Sequence, residues 1–460
     1  MSITRRQFGL GSVAAMAFAG YAQRSTASLQ GPTYRNEIAG YGDLLPDPAG
    51  FLDLPRGFTY QVISSAGEAM EDGFIVPDNF DGMGCFALPG GKLALVRNHE
   101  LGVNAVGKGP TGGDARREAR LAGRGAYDRA ASGLILPGGT STVIYDPVTA
   151  RREEQFLSLA GTAVNCAGGV TPWGSWLSCE ETAVAAPDTG LSHGWIFEVP
   201  AARRGLADPV PLKAMGRFRH EAAAVDPVTG IVYLTEDRED GLFYRFIPSH
   251  PGELARGGRL QALALPGDLR DSRNWTGAAL RPGSSHAVRW IDLADVESPA
   301  DDLRQRGHAA GAALFARGEG IHLGLGKDGA REFFFTCTSG GAGRFGQIFR
   351  LVTGAGATDQ LELFVESGDP QLMDYADNLT VAPWGHLIVC EDRTGDKVNH
   401  LKGVSPEGKI YTVARLNAET ELAGACFSPD GSILFVNAYA PGRTLAIRGP
   451  WRSVGGAGPA

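Results

Sequence analysis

The feature that most constrains this chain's fold is an internal repeat. The segment NCAGGVTPWGSWLSCEE (165–181) recurs closely as DNLTVAPWGHLIVCED (377–392) and in outline as EAAAVDPVTGIVYLTED (221–237). Looser copies are DGMGCFALPGGKLALVRNHE (81–100), EGIHLGLGKDGAREFFFTCT (319–338) and ELAGACFSPDGSILFVNAY (421–439). Each copy is a short apolar run, a Pro/Asp/Gly turn and a second apolar run, which is the signature of a β-hairpin. The turn glycines (Gly91, Gly174, Gly230, Gly329, Gly385, Gly431) are unevenly spaced, as expected for blades carrying insertions of variable length. Six such copies with no intervening βαβ pattern predict an all-β fold, a six-bladed β-propeller around a central channel, with a few helical or loop insertions. A β-sandwich is the alternative, because degenerate hairpins also arise from turn chemistry alone. The longest insertions fall near 102–133 and 265–312, the second containing a helical stretch, DDLRQRGHAAGAALF. Either can serve as a lid over the channel or as surface decoration.

The repeat also lines up polar residues. Cys166, Glu221 and Asp377 each stand six positions before a turn proline (Pro172, Pro227, Pro383), and Glu180, Glu236 and Glu391 each stand six positions after a turn glycine. Antiparallel pairing brings the first and last residues of a hairpin side by side. On inner strands, these side chains therefore gather at one mouth of the channel. Asn98 and Glu100 end the matching strand of the first copy, Glu319 and Glu421 open the fourth and sixth, and Asn378 follows Asp377. Confined carboxylates repel one another, so the pattern calls for cations. Carboxylates select hard ions such as calcium, and a thiolate among them calls for a transition metal. There is no CxxC or HExxH spacing for zinc, no phosphate-binding Walker loop and no GxSxG nucleophile elbow. A formal net charge of −8 argues against nucleic acid as a specific partner. From the residues alone, a calcium-dependent lactonase or esterase and a non-enzymatic, metal-stabilised binding propeller both stay open.

The start, MSITRRQFGLGSVAAMAFAG, pairs Arg5 with Arg6 ahead of a short apolar run, resembling a twin-arginine export signal over residues 1–28. No later segment has the length and freedom from charge needed for stable membrane insertion. The expectation is a single propeller domain over 29–460, monomeric, and periplasmic or secreted. Five of the six cysteines lie in apolar runs and read as buried thiols, whereas Cys166 lies between Asn165 and Ala-Gly-Gly. His99 and His220 read as structural, backbone-bonded histidines, and Trp173 and Trp384 as packing between blades.

From about residue 45 to 451 the chain resembles the PhoX-type alkaline phosphatases. The resemblance rests on RNHE (97–100), the 165–181 segment, RHEAAAVDP (219–227), the Arg-x-Glu of FARGEG (315–320), the 377–392 segment and AGACFSPDGSILFVN (423–437). It implies a six-bladed propeller that holds calcium and ferric iron in its channel and hydrolyses small-molecule phosphate monoesters. It further implies that Cys166 bridges two ferric ions, that Glu180, Glu221, Glu319 and Glu391 share the metals, and that Asn98 and Arg317 hold the phosphate. Gly318 departs from the family pattern, in which a proline usually stands.

Overall fold

The computed structural model describes residues 33–456 apart from 124, 327–328, 355–357 and 394–397. The export signal expected over 1–28 lies outside the described residues. The fold described here is that of the compact unit Asn36–Ala460.

Six antiparallel sheets follow one another along the chain, each opening on one of the repeated hairpins. The first blade is Phe80–Ala87, Leu93–His99, Gly138–Asp146 and Arg151–Thr162. The second is Asn165–Val170, Ser175–Glu180 and Ile196–Pro200. The third opens on His220–Val225 and Val232–Glu236, the fourth on Gly318–Leu325 and Arg331–Cys337, and the fifth on Ala376–Val381 and Leu387–Glu391. The sixth is Leu422–Phe427, Ile433–Ala438 and Arg443–Arg448, and its outer strand is Thr59–Ser65 from the N-terminal end of the unit. That exchange ties the two ends of the chain together across the ring, so no blade is left with a loose closing edge.

The apolar cores sit in the seams between blades. Between the third and fourth, Phe243 stacks on Phe335 at 4.3 Å and Phe335 on Phe349 at 5.3 Å, contacts worth about 1 kcal/mol each beyond area burial. The other seams carry their own clusters, such as Leu177, Ile196, Phe246 and Leu260 between the second and third blades. Trp384 packs in the fifth-to-sixth seam against Phe427 and Trp451. Trp173 does not pack between blades. It is 36% exposed and donates its indole N–H to Glu198 at 2.6 Å, because the turn that carries it projects beyond the sheets.

The insertions are largely absorbed into the sheets. Ser285–Ala287 pairs with the outer strand Gln360–Glu366 of the fourth blade, and Arg289–Asp292 with Gly258–Ala264 of the third. The short helix Leu303–Ala309 buries Leu303 in the second-to-third seam. Over 102–133, the helix Ala115–Leu121 is capped by Asp114, which accepts from the backbone of Arg116 and Arg117 at 3.0 Å, and it buries Leu121 beside Phe74, Phe80 and Leu157. Among the described residues no helix is long and apolar enough to cross a membrane.

Candidate metal centre

The first strand of every blade carries a register shift at the same place, near its start. The shifts fall between Phe80 and Met83, Asn165 and Gly168, His220 and Ala223, Gly318 and Ile321, Ala376 and Leu379, and Ala423 and Cys426. A bulge frees a residue from the pleat and re-aims its side chain. The residues so freed include Asp81, Cys166, Glu221, Glu319 and Asp377, with Gly424 at the sixth position. Close backbone approach draws the bulges together. A Cβ on Gly82 would lie 2.5 Å from Cα of Ala167, one on Gly320 2.7 Å from Cα of Asn378, and one on Gly424 2.3 Å from the carbonyl oxygen of Asp81.

In four blades the residue two positions before the freed side chain adopts a left-handed backbone: Asn79 (φ 51°), Val164 (φ 51°), Arg317 (φ 54°) and Tyr375 (φ 58°). Such residues cost about 1–3 kcal/mol each, and for β-branched Val164 the conformation is a clear outlier. Each carbonyl so turned accepts the N–H of the residue just past the blade's second strand, from Glu100 (2.9 Å), Glu181 (2.8 Å), Thr338 (3.0 Å) and Asp392 (2.9 Å) respectively. These bonds fix Glu100, Glu181 and Asp392 at the mouth.

The result is a chain of ligand-type groups in overlapping trios, the ligand atoms of each lying within 4.8 Å of one another: Asp81, Glu100 and Cys166; Cys166, Glu181 and Glu221; Glu221, Glu319 and Asp377; and Asp377, Asp392 and Glu421. The Cys166 thiol donates to Oε1 of Glu221 at 3.3 Å. Oδ1 of Asp81 and Oε2 of Glu221 are buried with no hydrogen-bond partner, a state that costs free energy unless a ligand completes it. Burial first, then neighbouring carboxylates, pushes Asp81, Glu221 and Glu319 well above the ordinary carboxylate range. Burial likewise raises Glu100 and Asp377 to about 7. Burial, then Asp81 and Glu221, pushes the Cys166 thiol up. Multivalent cations would reverse every one of these shifts. The donor set, many hard oxygens and one sulfur, fits calcium together with a transition metal.

The sequence-predicted residues divide. Glu100, Cys166, Glu221, Glu319, Asp377 and Glu421 are brought together. Glu180, Glu236 and Glu391 are not, and the reason is strand alternation: each pairs with the residue before the bulge, so its side chain leaves on the opposite face from the following residue. Their carboxylates brace the connection to the third strand. Glu180 accepts from Ala163, Gly194 and Trp195 backbone N–H groups at 3.0, 2.9 and 3.2 Å and meets His193 Nδ1 at 2.7 Å. Glu236 accepts from Leu242 N–H and the Tyr244 hydroxyl, and Glu391 from Asp374 and His400 N–H. Asn378 links blades, its Oδ1 accepting from Gly424 N–H at 2.8 Å and its amide donating to Asp377 at 3.0 Å. Asn98 is buried between the first two blades, donating to the carbonyls of Cys166 and Ala167 and accepting from Trp176 Nε1 and Ser178 Oγ. Those four bonds use its capacity, so it positions the Cys166 strand and has nothing left for a phosphate. Arg317 does stand at the mouth, held by Asp237 (2.8 and 3.3 Å) and Glu319 (2.7 Å). The sequence reading misses Asp81 and Glu181, and it leaves Asp237 and Asp392 evenly balanced between ligands and solvated strand-end acids. The signal for the last three was the adjacent acid in CEE, TED and CED, where the reading stopped one position early.

The two sequence-predicted structural histidines are so placed, His99 Nδ1 lying 3.1 Å from the Asp78 carbonyl and His220 Nε2 2.9 Å from that of Gly216. All six cysteines are free. Beneath the trios the channel widens into a cavity of about 250 Å³, walled by apolar side chains such as Met83, Trp176, Ile321 and Leu379.

Comparison with known proteins bears on what this centre is for. The chain is similar to a solved Pseudomonas fluorescens PhoX in complex with vanadate, a transition-state analogue, at 20% identity and a TM-score of 0.63, over 91% of this chain and 98% of that one. It also matches a Xanthomonas campestris gluconolactonase at 14% identity and a TM-score of 0.34, over 85% of this chain and 100% of that one. No curated protein sequence matches. The model of the family described as alkaline phosphatase PhoX matches residues 39–442, and the chain belongs to that phosphatase family.

Proposed function

We propose that this phosphatase hydrolyses phosphate monoesters at the mouth of its channel, with calcium and ferric iron held by Asp81, Glu100, Cys166, Glu181, Glu221, Glu319, Asp377, Asp392 and Glu421. The observation that carries the reading is the run of overlapping trios in which buried carboxylate oxygens have no partner within the protein. Bound there, the metals would supply Lewis-acid polarisation of the phosphoryl oxygens, an activated oxygen nucleophile and charge neutralisation at the leaving oxygen. The chain's own residues do the rest. The ring acids fix the position of the positive charge and the bulges hold them there. Arg317, kept in place by Asp237 and Glu319, offers a permanently charged guanidinium to a phosphoryl oxygen. The cavity beneath is walled mostly by apolar side chains, which lowers the local dielectric on that side. The export signal read in residues 1–28 makes the protein periplasmic or secreted, and it acts there as a monomer.

The test is elemental analysis of the purified protein with turnover of a generic phosphomonoester, before and after chelation and in Cys166→Ser. Iron and calcium in the wild type, turnover lost on chelation, and iron and turnover both lost in the serine variant are expected. Calcium alone, with no phosphate-ester turnover, would overturn the reading. Full turnover and full iron content in Cys166→Ser would remove the thiolate from the centre.

A further inference from the structure

Arg317 and Arg219 occupy the same place in successive blades. Each stands two positions before its blade's freed carboxylate, Glu319 and Glu221 respectively. Each reaches back to the acid that follows the second strand of the preceding blade: Arg317 to Asp237 at 2.8 Å, Arg219 to Glu181 at 3.5 Å. The two arginines differ in how far their donors are committed. Arg317 is held by three hydrogen bonds to two carboxylates. Among the described residues Arg219 makes only the long contact with Glu181 and its buried Nε has no partner, while its side chain remains 41% exposed. Glu181 belongs to the trio with Cys166 and Glu221. The uncommitted guanidinium therefore lies on the rim of the centre, one blade from Arg317.

We infer that Arg219 is a second substrate-binding arginine, taking a non-bridging phosphoryl oxygen of the ester, and of the phosphate product, from the blade next to that of Arg317. The inference rests on the phosphatase reading above. A guanidinium presents donors in a planar fork suited to phosphate, whereas a lone carboxylate contact at 3.5 Å leaves most of that fork unused. Arg317, locked between Asp237 and Glu319, serves as a fixed wall, and Arg219 is free to close on the anion.

The experiment uses metal-loaded wild type, Arg219→Met and Arg219→Lys, with inorganic phosphate as the probe. Calorimetric binding of phosphate and its competitive inhibition of ester turnover are measured, with calcium and iron content determined on the same samples. Arg219→Met is expected to weaken phosphate binding and raise KM about tenfold or more, the loss typical of a charge-assisted hydrogen bond. Metal content should be unchanged, and Arg219→Lys should recover part of the loss. Unchanged phosphate affinity in Arg219→Met would overturn the inference, and so would loss of metal in both variants, which would make Arg219 a counter-ion to Glu181. If the wild type binds phosphate but turns over no ester, the phosphatase reading fails while the binding comparison still decides the role of Arg219.

Discussion

Gly424 is the ring position without a ligand, and Gly424→Ala tests the idea that close backbone approach assembles the centre. Its φ is +61°, and an added Cβ would lie 2.3 Å from the Asp81 carbonyl oxygen, 2.9 Å from Asn437 Nδ2 and 3.0 Å from the Met83 nitrogen. Two of these are backbone atoms of the first blade, and the Asn437 amide is itself pinned to the Asp81 carbonyl at 2.6 Å. None can move without shifting the bulge that carries Asp81. The left-handed conformation costs alanine about 1–2 kcal/mol, and overpacking against a fixed backbone adds about 1–3 kcal/mol, so the expected loss is roughly 2–5 kcal/mol. Gly174→Ala is the control, because Gly174 has φ +85° and nothing within 4 Å of the added carbon; it should lose only the conformational part. Urea unfolding of both variants in the presence of metals, with metal content measured beforehand, separates the two costs. Gly424→Ala should unfold at lower urea than Gly174→Ala and retain less metal. Equal losses in the two variants, with metal retained in both, would refute the claim that blade-to-blade backbone contact sets the ring.

Two further outcomes follow from the same geometry. Glu180→Gln places an amide N–H against backbone donors and should cost about 3 kcal/mol of stability while metal content holds; Glu181→Gln should do the reverse, losing metal yet melting no lower than wild type when both are chelated. Thermal unfolding and elemental analysis of the pair check this, and metal loss in Glu180→Gln with none in Glu181→Gln would reverse the assignment. In chelated protein, Glu100 and Asp377 are raised by burial to about 7, so their contribution favours the fold below the unfolded carboxylate range and is lost as pH rises through about 7. Chelated protein should therefore melt lower at pH 8 than at pH 5, with added calcium and iron abolishing the difference, and a chelated protein equally stable at both would contradict it.

Much of the fold was legible because a hairpin advertises itself locally. The Pro/Asp/Gly turns and the short apolar runs need no tertiary information, and six of them in series left few architectures to consider. Cys166, Glu221, Glu319 and Asp377 were legible for the same reason, since each opens a strand. The second-strand acids were not, because the sequence offers adjacent candidates: Glu180 or Glu181, Glu236 or Asp237, Glu391 or Asp392. Choosing between them requires the strand register, and a shift of one residue moves a side chain to the other face. Asp81 was hidden because its copy lacks a proline six positions on. Asn98 was drawn to the site by its neighbours in RNHE, yet alternation turns it inward to Trp176 and Ser178.

The paired acids also show how this fold keeps so much negative charge in so small a space. At each of three strand ends the first acid is hydrogen-bonded by the protein alone, through backbone N–H groups, the Tyr244 hydroxyl, or His193 and His400. That solution holds at any metal concentration and keeps the loops at the mouth in place. The second acid faces the channel, where Glu181 and Asp392 sit in trios and Asp237 holds Arg317. Its charge can be met only by cations, whether metal or guanidinium. The sixth blade departs from the pattern, offering Gly424 in the ring and Glu421 from three residues earlier, so the overlapping trios run from Asp81 and Cys166 through Glu221 and Asp377 to Glu421. The arginines stand on the third and fourth blades, at the middle of that run. An arriving phosphate dianion thus meets guanidinium charge from two neighbouring blades, set beside carboxylates that become attractive only once metal is bound. Anion affinity should accordingly depend on metal loading while its orientation is set by the protein.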